Sequence, residues 1–422
     1  MTRLAMRLAA ATTVLAACLV TPSEPAGASV PPGVPDASAT AAGLSAVPGS
    51  VQAWGNDFIG QVTVPTEALS GATAIAAGWE HSLAVVEGRV VAWGGNVSGQ
   101  CDVPASAESG VSAVAAGVAH SLALKEGRVI AWGDNGAGQS TVPPEALSGV
   151  RAIAAGGSHS LALKEGRVIA WGDNGVGQST VPLEARSGVT AIAAGTAHSL
   201  ALKDGRVIAW GSNASQETSV PSFARTGVSA VAAGGMVTGP GVEGFSLAIK
   251  GGEVIGWGSN SAGQLDIPDA ALSGVRGIAA GGLHALALKD GRVISWGDNS
   301  IGQAQVPDGL APHATAIAAG RLHSLAIRAQ TTVVITGVRP RADKIVLVGR
   351  TSGVALGTTI TPFLKRVRPG EAFVAQAAFP LSFGDTTEGR FRFRKSGLSG
   401  AATYKAYVVV LGVRSNTVTI RP

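Results

Sequence analysis

A tryptophan recurs along this chain at a fixed interval, and no other feature restricts the fold so strongly. Trp54, Trp93, Trp132, Trp171, Trp210, Trp257 and Trp296 are separated by 39, 39, 39, 39, 47 and 39 residues. A histidine keeps the same period at His81, His120, His159, His198, His284 and His323, with Phe245 where the remaining one would fall. A constant period of about 20–50 residues marks a repeat architecture, in which each unit buries its apolar face only against its neighbours.

Each unit divides into four short β-type runs. In the third unit they are RAIAAG (151–156), HSLALK (159–164), RVIAWG (167–172) and GQSTVP (177–182). None reaches the roughly 10–12 residues that argue for a helix, and they are rich in Val, Ile, Leu and Trp. The second and third runs are joined by Glu165-Gly166, elsewhere by Glu126-Gly127, Asp204-Gly205 or Asp290-Gly291, which suits a two-residue hairpin turn. Four antiparallel strands in about 40 residues make a propeller blade. The Ala-Ala-Gly run suits the innermost strand, where blades converge and only small side chains fit. The tryptophan run suits the wider part of the wedge.

The chain enters the pattern at Val51-Gln52-Ala53-Trp54-Gly55, a third run, and the last unit stops after its second run at Arg328. Strands from the N-terminal end are therefore expected to complete the last blade. The expected fold is all-β: a seven-bladed β-propeller over residues 51–329, closed without an exposed sheet edge. The pattern resembles the regulator-of-chromosome-condensation repeats in their short bacterial form. The phrases VIAWGDNxxGQ, VPxEAxSGV and AIAAGxxHSLALK(D/E)G are most similar to those of the secreted seven-bladed β-lactamase inhibitor proteins. That resemblance implies a propeller whose shared residues are scaffold, and it implies protein binding through loops on one face.

The two ends read differently. Residues 1–28 have the form of a secretory signal: Arg3 and Arg7, an apolar stretch over 8–20, and Ala26-Gly27-Ala28 as a small-residue cleavage site. A second reading takes Leu15-Ala16-Ala17-Cys18 as a lipoprotein signal with a lipid anchor at Cys18. Either one sends the protein out of the cytoplasm, as a secreted or cell-surface molecule. Residues 29–50 are a Pro/Ala/Ser/Gly linker without periodicity, expected to be disordered. After ordinary cleavage only Cys101 remains, so no intrachain disulfide is expected, and a small half-buried side chain is the role that suits it.

From Thr331 the period stops. Residues 330–422 read as alternating short strands of a small immunoglobulin- or fibronectin-like β-sandwich. From Thr331 onward there are 14 Lys and Arg against 4 Asp and Glu, a net of about +10 in a chain whose total is +5. Two readings of this excess stay open. One is a solvated basic face. The other is attraction to an anionic cell-wall polymer or membrane surface through Arg339, Arg341, Lys344, Lys365, Arg366, Arg368, Arg390, Arg392 and Arg394. Nucleic acid is not an expected partner of an exported protein.

No chemistry is called for by the repeat itself. Histidines that recur once per blade share one local task, a hydrogen bond tying a loop or a neighbouring blade, and the tryptophans read as core between blades. The Asp134-Asn135 and Asp173-Asn174 pairs lack the dense oxygen spacing of a calcium loop, because Asp gives way to Ser212, Ser259 or Gly95, so they read as turn formers. Nothing resembles a phosphate loop, a nucleophile elbow or a zinc set. The expectation is no enzyme, no catalytic residue, no metal and no cofactor.

Function is expected where the repeat is broken. Loops joining runs one to two and three to four share a face. There the fifth, sixth, seventh and first blades carry Met236, Val237, Phe245, Leu283, Ile301, Arg321, Leu322, Phe58, Ile59, Trp79 and Glu80. An insertion over 235–244 accounts for the 47-residue spacing and reads as a binding loop. These residues are expected to form one partner-binding arc, since aromatic residues, Met and Arg are enriched at protein interfaces. Val118-Ala119, Gly157-Ser158 and Thr196-Ala197 stand where the inhibitors carry rim aromatics. The leading expectation is an exported, monomeric protein-binding propeller, its partner a β-lactamase or an envelope protein. The alternatives are β-lactamase inhibition, or an envelope adhesion or carbohydrate-binding protein anchored by the basic C-terminal domain. Nucleotide exchange on a GTPase, which the wider repeat family implies, does not suit an exported chain.

Overall fold

The computed structural model describes residues 48–238 and 241–329, together with the strands between 332 and 420. The signal read over 1–28, with Cys18, and the linker up to residue 47 lie outside the described residues. The chain divides into two compact units, one ending at Arg328 and the other starting at Ala329.

Among its described residues the first unit is all-β apart from short 3-10 turns, and it repeats one three-stranded antiparallel sheet. Its modules are β2–β4 (Ala72–Ala77, His81–Val86, Arg89–Gly94), β5–β7 (Val111–Ala116, His120–Lys125, Arg128–Gly133) and β8–β10 (Val150–Ala155, His159–Lys164, Arg167–Gly172). There follow β11–β13 (Val189–Ala194, His198–Lys203, Arg206–Gly211), β14–β16 (Val228–Thr238, Gly241–Lys250, Glu253–Gly258) and β17–β19 (Gly277–Ala280, His284–Lys289, Arg292–Gly297). The last, β20 (Ala314–Ala319) and β21 (His323–Ala329), is completed by β1 (Gly49–Gly55), which lies beside β21. A single N-terminal strand thus closes the final module, and it opens two residues inside the stretch read as linker.

The local sequence explains each part. Glu165 and Gly166 both hold positive φ, 50° and 76°, the geometry of a type I′ hairpin turn whose twist matches the strands it joins. First and second strands are buried on almost every residue because neighbouring modules cover both faces, whereas the third strand fully buries only its valine and tryptophan, Val168 and Trp171. The first strands line the centre: β2, β5, β8, β11, β14, β17 and β20 each touch the next, and β20 returns to β2. Gly156 shows why these strands end in glycine. A Cβ there would stand 2.2 Å from His159 Cε1 and 2.6 Å from the Gly195 carbonyl of the next module. The architecture is propeller-like.

The fourth run is not a strand. Residues 177–182 form a turn that leads from Pro182 into the 3-10 helix Leu183–Arg186. The reason lies in the amides. Ser179 N–H donates to Asn174 Oδ1 at 3.0 Å, Thr180 N–H to Gly177 O at 3.0 Å, and Val176 N–H to Gln178 Oε1 at 2.9 Å, so no free row of donors is left for a ladder. The Asp-Asn phrase is the turn former the sequence suggests, with Asp173 Oδ2 accepting from Gln178 Nε2 at 2.7 Å. Cys101 takes the place of Ser140 and Ser179 in this turn. Its Sγ donates to Gly95 O at 3.3 Å, and burial with Asp102 nearby pushes its pKa up to about 12.

The second unit contains β22 (Thr332–Arg341), β23 (Lys344–Ser352), β24 (Thr359–Arg366), β25 (Val374–Ala375), β26 (Phe379–Pro380), β27 (Ser382–Phe383), β28 (Glu388–Ser396), β29 (Tyr404–Val410), β30 (Val413–Arg414) and β31 (Val418–Ile420). They form two antiparallel sheets, β22-β23-β28-β27 and one built on β24 and β29. Among the described residues no helix is long and apolar enough to cross a membrane.

Candidate functional site

The module junctions decide what the repeat histidines can do. His159 Nε2 lies 2.9 Å from Ser199 Oγ of the next module. Ser199 Oγ spends its one proton on Gln178 O, also at 2.9 Å, so the imidazole must be the donor to the serine and carries its hydrogen on Nε2. Gln178 O accepts from Trp210 Nε1 as well, at 2.9 Å. The same bond recurs as His81 to Ser121, His120 to Ser160, His198 to Ser246 and His284 to Ser324, and His323 returns to Ser82 at 3.0 Å. All six histidines are fully buried, and burial lowers their pKa values to about 3 or 4. They are neutral tethers, with no exposed imidazole to bind a metal or move a proton to a ligand.

One junction differs. Phe245 replaces the histidine, and Ala285 replaces the serine that would receive its bond. Phe245 is 0% exposed, so it belongs to the junction and not to the partner-binding arc in which the sequence reading placed it. Its ring fills the volume of the imidazole, which is why an apolar residue is held there.

Above the junctions, on one face, the turns from first to second strands encircle the axis. Their amides link neighbouring modules: Trp79 N–H donates to Gly117 O, Val118 to Gly157 O, Gly235 to Gly281 O, Gly282 to Gly320 O and Arg321 to Gly78 O, at 3.0–3.4 Å. The last of these joins the final module to the first, and there the predicted residues gather. The Arg321 guanidinium lies 4.4 Å from the centre of the Trp79 ring, a cation–π stack across the join. Burial lowers the Arg321 pKa and the neighbouring Glu80 carboxylate opposes that shift. Ile59 Cδ1 and Glu80 Cβ pack over bare Gly95, where an added Cβ would stand 2.8 and 3.2 Å from them. Asn56 N–H donates to Leu322 O at 2.9 Å and its Oδ1 accepts from Phe58 N–H, which brings the 56–63 loop alongside. Phe58, Ile59, Trp79, Glu80, Arg321 and Leu322 thus form one patch, with the Phe58 side chain 92% exposed.

The remaining expected residues lie on the two modules before the last, β14–β16 and β17–β19. Leu283 is half-buried and its carbonyl accepts from Asp298 N–H at 2.9 Å, beside the loop that carries the exposed Ile301. On either side of residues 239–240, which lie outside the described residues, the 235–244 insertion continues strands β14 and β15: Met236 pairs with Glu243, Val237 with Val242 and Thr238 with Gly241. Met236 and Val237 are half-buried on it. Glu243 accepts from Ser259 Oγ and Ser261 Oγ, which ties the extension to the next loop. Sequence reasoning passed over Val97, which is 97% exposed at the loop position equivalent to Phe58, and Val176, exposed at the position of Ile59. Their register in the repeat was the available signal.

The regulator of chromosome condensation (RCC1) repeat family matches residues 72–100, 111–139 and 150–178. No curated protein matches the chain. Among solved structures, the entire ectodomain of the Physcomitrella patens receptor kinase CR4 is similar at 16% identity, over 74% of this chain and 75% of that one, with a TM-score of 0.45. The WD40 ectodomain of the Arabidopsis thaliana receptor kinase ACR4 is similar at 17% identity, over 68% and 93%, with a TM-score of 0.44. The matched segments each run from a first strand through its histidine and tryptophan strands to the buried glutamine of the following turn, so three of the modules match the RCC1 repeat.

Proposed function

We propose that the chain is an exported, non-enzymatic, seven-bladed propeller that grips a protein partner through the face carrying the Arg321–Trp79 stack. The single observation behind this reading is that stack at the join of the first and last modules, with the exposed Phe58 in the loop beside it. Arg and Trp are the residue types that dominate interface energetics, and an exposed phenyl ring beside them is an anchor for a partner's pocket. The hairpin extension and the Leu283–Ile301 pair widen the same face. Export rests on the signal read at residues 1–28. The second unit fits a small immunoglobulin- or fibronectin-like sandwich, which its two antiparallel sheets support.

The test compares three chains in capture from the extracytoplasmic fraction of the source cell: the parent, Phe58→Ala with Trp79→Ala, and Leu183→Ser. Leu183 is 75% exposed in a 3-10 turn whose neighbour Glu184 O accepts from Lys203, at the hairpin edge opposite the proposed face. Proteins retained by the parent and by Leu183→Ser but lost by the double variant support the reading. Identical captures by all three sink it.

A further inference from the structure

The strand register of the β22-β23-β28 sheet sets most of its charge on one surface. In β28, Arg390, Arg392 and Arg394 alternate along one face of the strand. Cross-strand partners share a face. Arg390 is opposite Arg350, Arg392 opposite Val348 and Arg394 opposite Val346, which in turn is opposite Arg339. Lys344, opposite Ser396, is paired with Arg341. Seven basic residues from three adjacent strands therefore fall on a single face, and among the described residues Glu388 is the one acidic residue that the register adds to it. Phe391, Phe393, Leu347 and Ile345 fall on the other face, with Lys395 opposite Ile345.

Two features favour a ligand on this face over solubility alone. Arg350 stands directly opposite Arg390, and Arg341 directly opposite Lys344, although like charges at directly opposed positions destabilise a sheet. An anion between them removes that penalty. Moreover, alternate residues in a strand are about 6.6–6.8 Å apart and strands about 4.8 Å apart, which gives a regular lattice of cations. Six of the seven are arginines, whose planar fork bonds phosphate oxygens in pairs. Among the described residues no aromatic falls on this face, so they offer no platform for stacking bases.

We infer that this face of the β22-β23-β28 sheet binds an extended phosphodiester polymer without bases, laid along β28. The proposal is independent of the propeller reading. It also redraws the sequence expectation. Arg350 joins the set, Lys365 and Arg366 leave it because they lie in β24 of the other sheet, and Arg368 lies outside the described residues.

The probe is a fluorescently labelled poly(glycerol phosphate), titrated into the full chain at 50 and 200 mM salt. With about six phosphates neutralised, affinity falls roughly 300-fold across that range. Arg390→Gln/Arg392→Gln/Arg394→Gln should weaken binding by at least 30-fold at 50 mM salt and halve the salt slope. Lys365→Gln/Arg366→Gln/Lys405→Gln removes the same charge from the other sheet and should change affinity less than threefold. Circular dichroism checks that each variant is folded. If the triple Arg variant is not, Arg339→Gln/Arg341→Gln on β22 replaces it, with a tenfold loss expected. Equal losses in both sets, or binding only to single-stranded DNA or to anionic vesicles, would overturn the proposal.

Discussion

Six junctions of the propeller unit are held by a histidine and a serine, and one by a phenylalanine and an alanine. The comparison separates the polar bond from the shape it occupies. At five of the six, the imidazole donates to a hydroxyl whose own proton goes to a glutamine carbonyl, as between His159, Ser199 and Gln178. His198 feeds the same chain through Ser246, but there Glu217 supplies the carbonyl. At the seventh, both polar partners have gone together, and Phe245 is as deeply buried as any histidine. The lesson is that the position demands a flat ring, and that the polar bond is kept or dropped as a pair because a half-bonded pair would strand a buried donor.

Acid should break the comparison most severely. The six histidines have folded-state pKa values of about 3 or 4, below the 6.5 of an unfolded imidazole. Because the folded values are depressed, their stabilisation is complete above pH 6.5 and is lost as pH falls from 6.5 towards 4. At pH 5 each costs up to about 2 kcal/mol, so together they remove on the order of 10 kcal/mol, comparable to the stability of a whole domain. Melting temperature measured from pH 7.5 to 4.5 should drop steeply below 6.5, and a flat profile would show that the imidazoles do not stay neutral.

Single junction variants give smaller effects. Trp171→Ala empties the wedge between modules and removes the bond to Gln139 O at 2.8 Å, for a loss of roughly 3–5 kcal/mol in urea denaturation. Ser199→Ala strands His159 Nε2–H and should cost about 1–3 kcal/mol. Adding His159→Phe copies the Phe245–Ala285 junction. The double variant should recover to within about 1 kcal/mol of the parent, and it should take up one proton fewer on acid unfolding. If it is no better than Ser199→Ala alone, ring shape is not what the position selects. The smallest effect is expected from Phe245→His with Ala285→Ser, which should alter stability by less than about 1 kcal/mol while proton uptake on unfolding rises by one.

Much of this was legible in the sequence, and the failures have physical causes. The tryptophan period, the acidic-Gly turns and the Ala-Ala-Gly strands point to the modules because each answers to local backbone chemistry or to burial at a fixed distance from the axis. The fourth run was misread because its Val, Thr and Ser suit a strand. Only the side chains of Asn174 and Gln178, folding back onto the amides, prevent one. Phe245 was misread because one departure from a repeat looks like surface drift. Its partner departure, Ala285, sits 40 residues away, and the two are matched only once the modules are neighbours in space. The patch at Trp79 and Arg321 was legible from module order alone. Val97 was not, because nothing in the residue type tells a valine facing water from one covered by a loop.

β1 supplies the last place in a circle whose other members are made after it. The first described strand to leave the ribosome can find its berth beside β21 only when about 270 later residues have been synthesised, so the clasp cannot form before the ring it closes has been made. Arg321 and Trp79 straddle that clasp. A partner seated on them would staple the two ends of the wheel together, and would recognise only copies whose circle is shut.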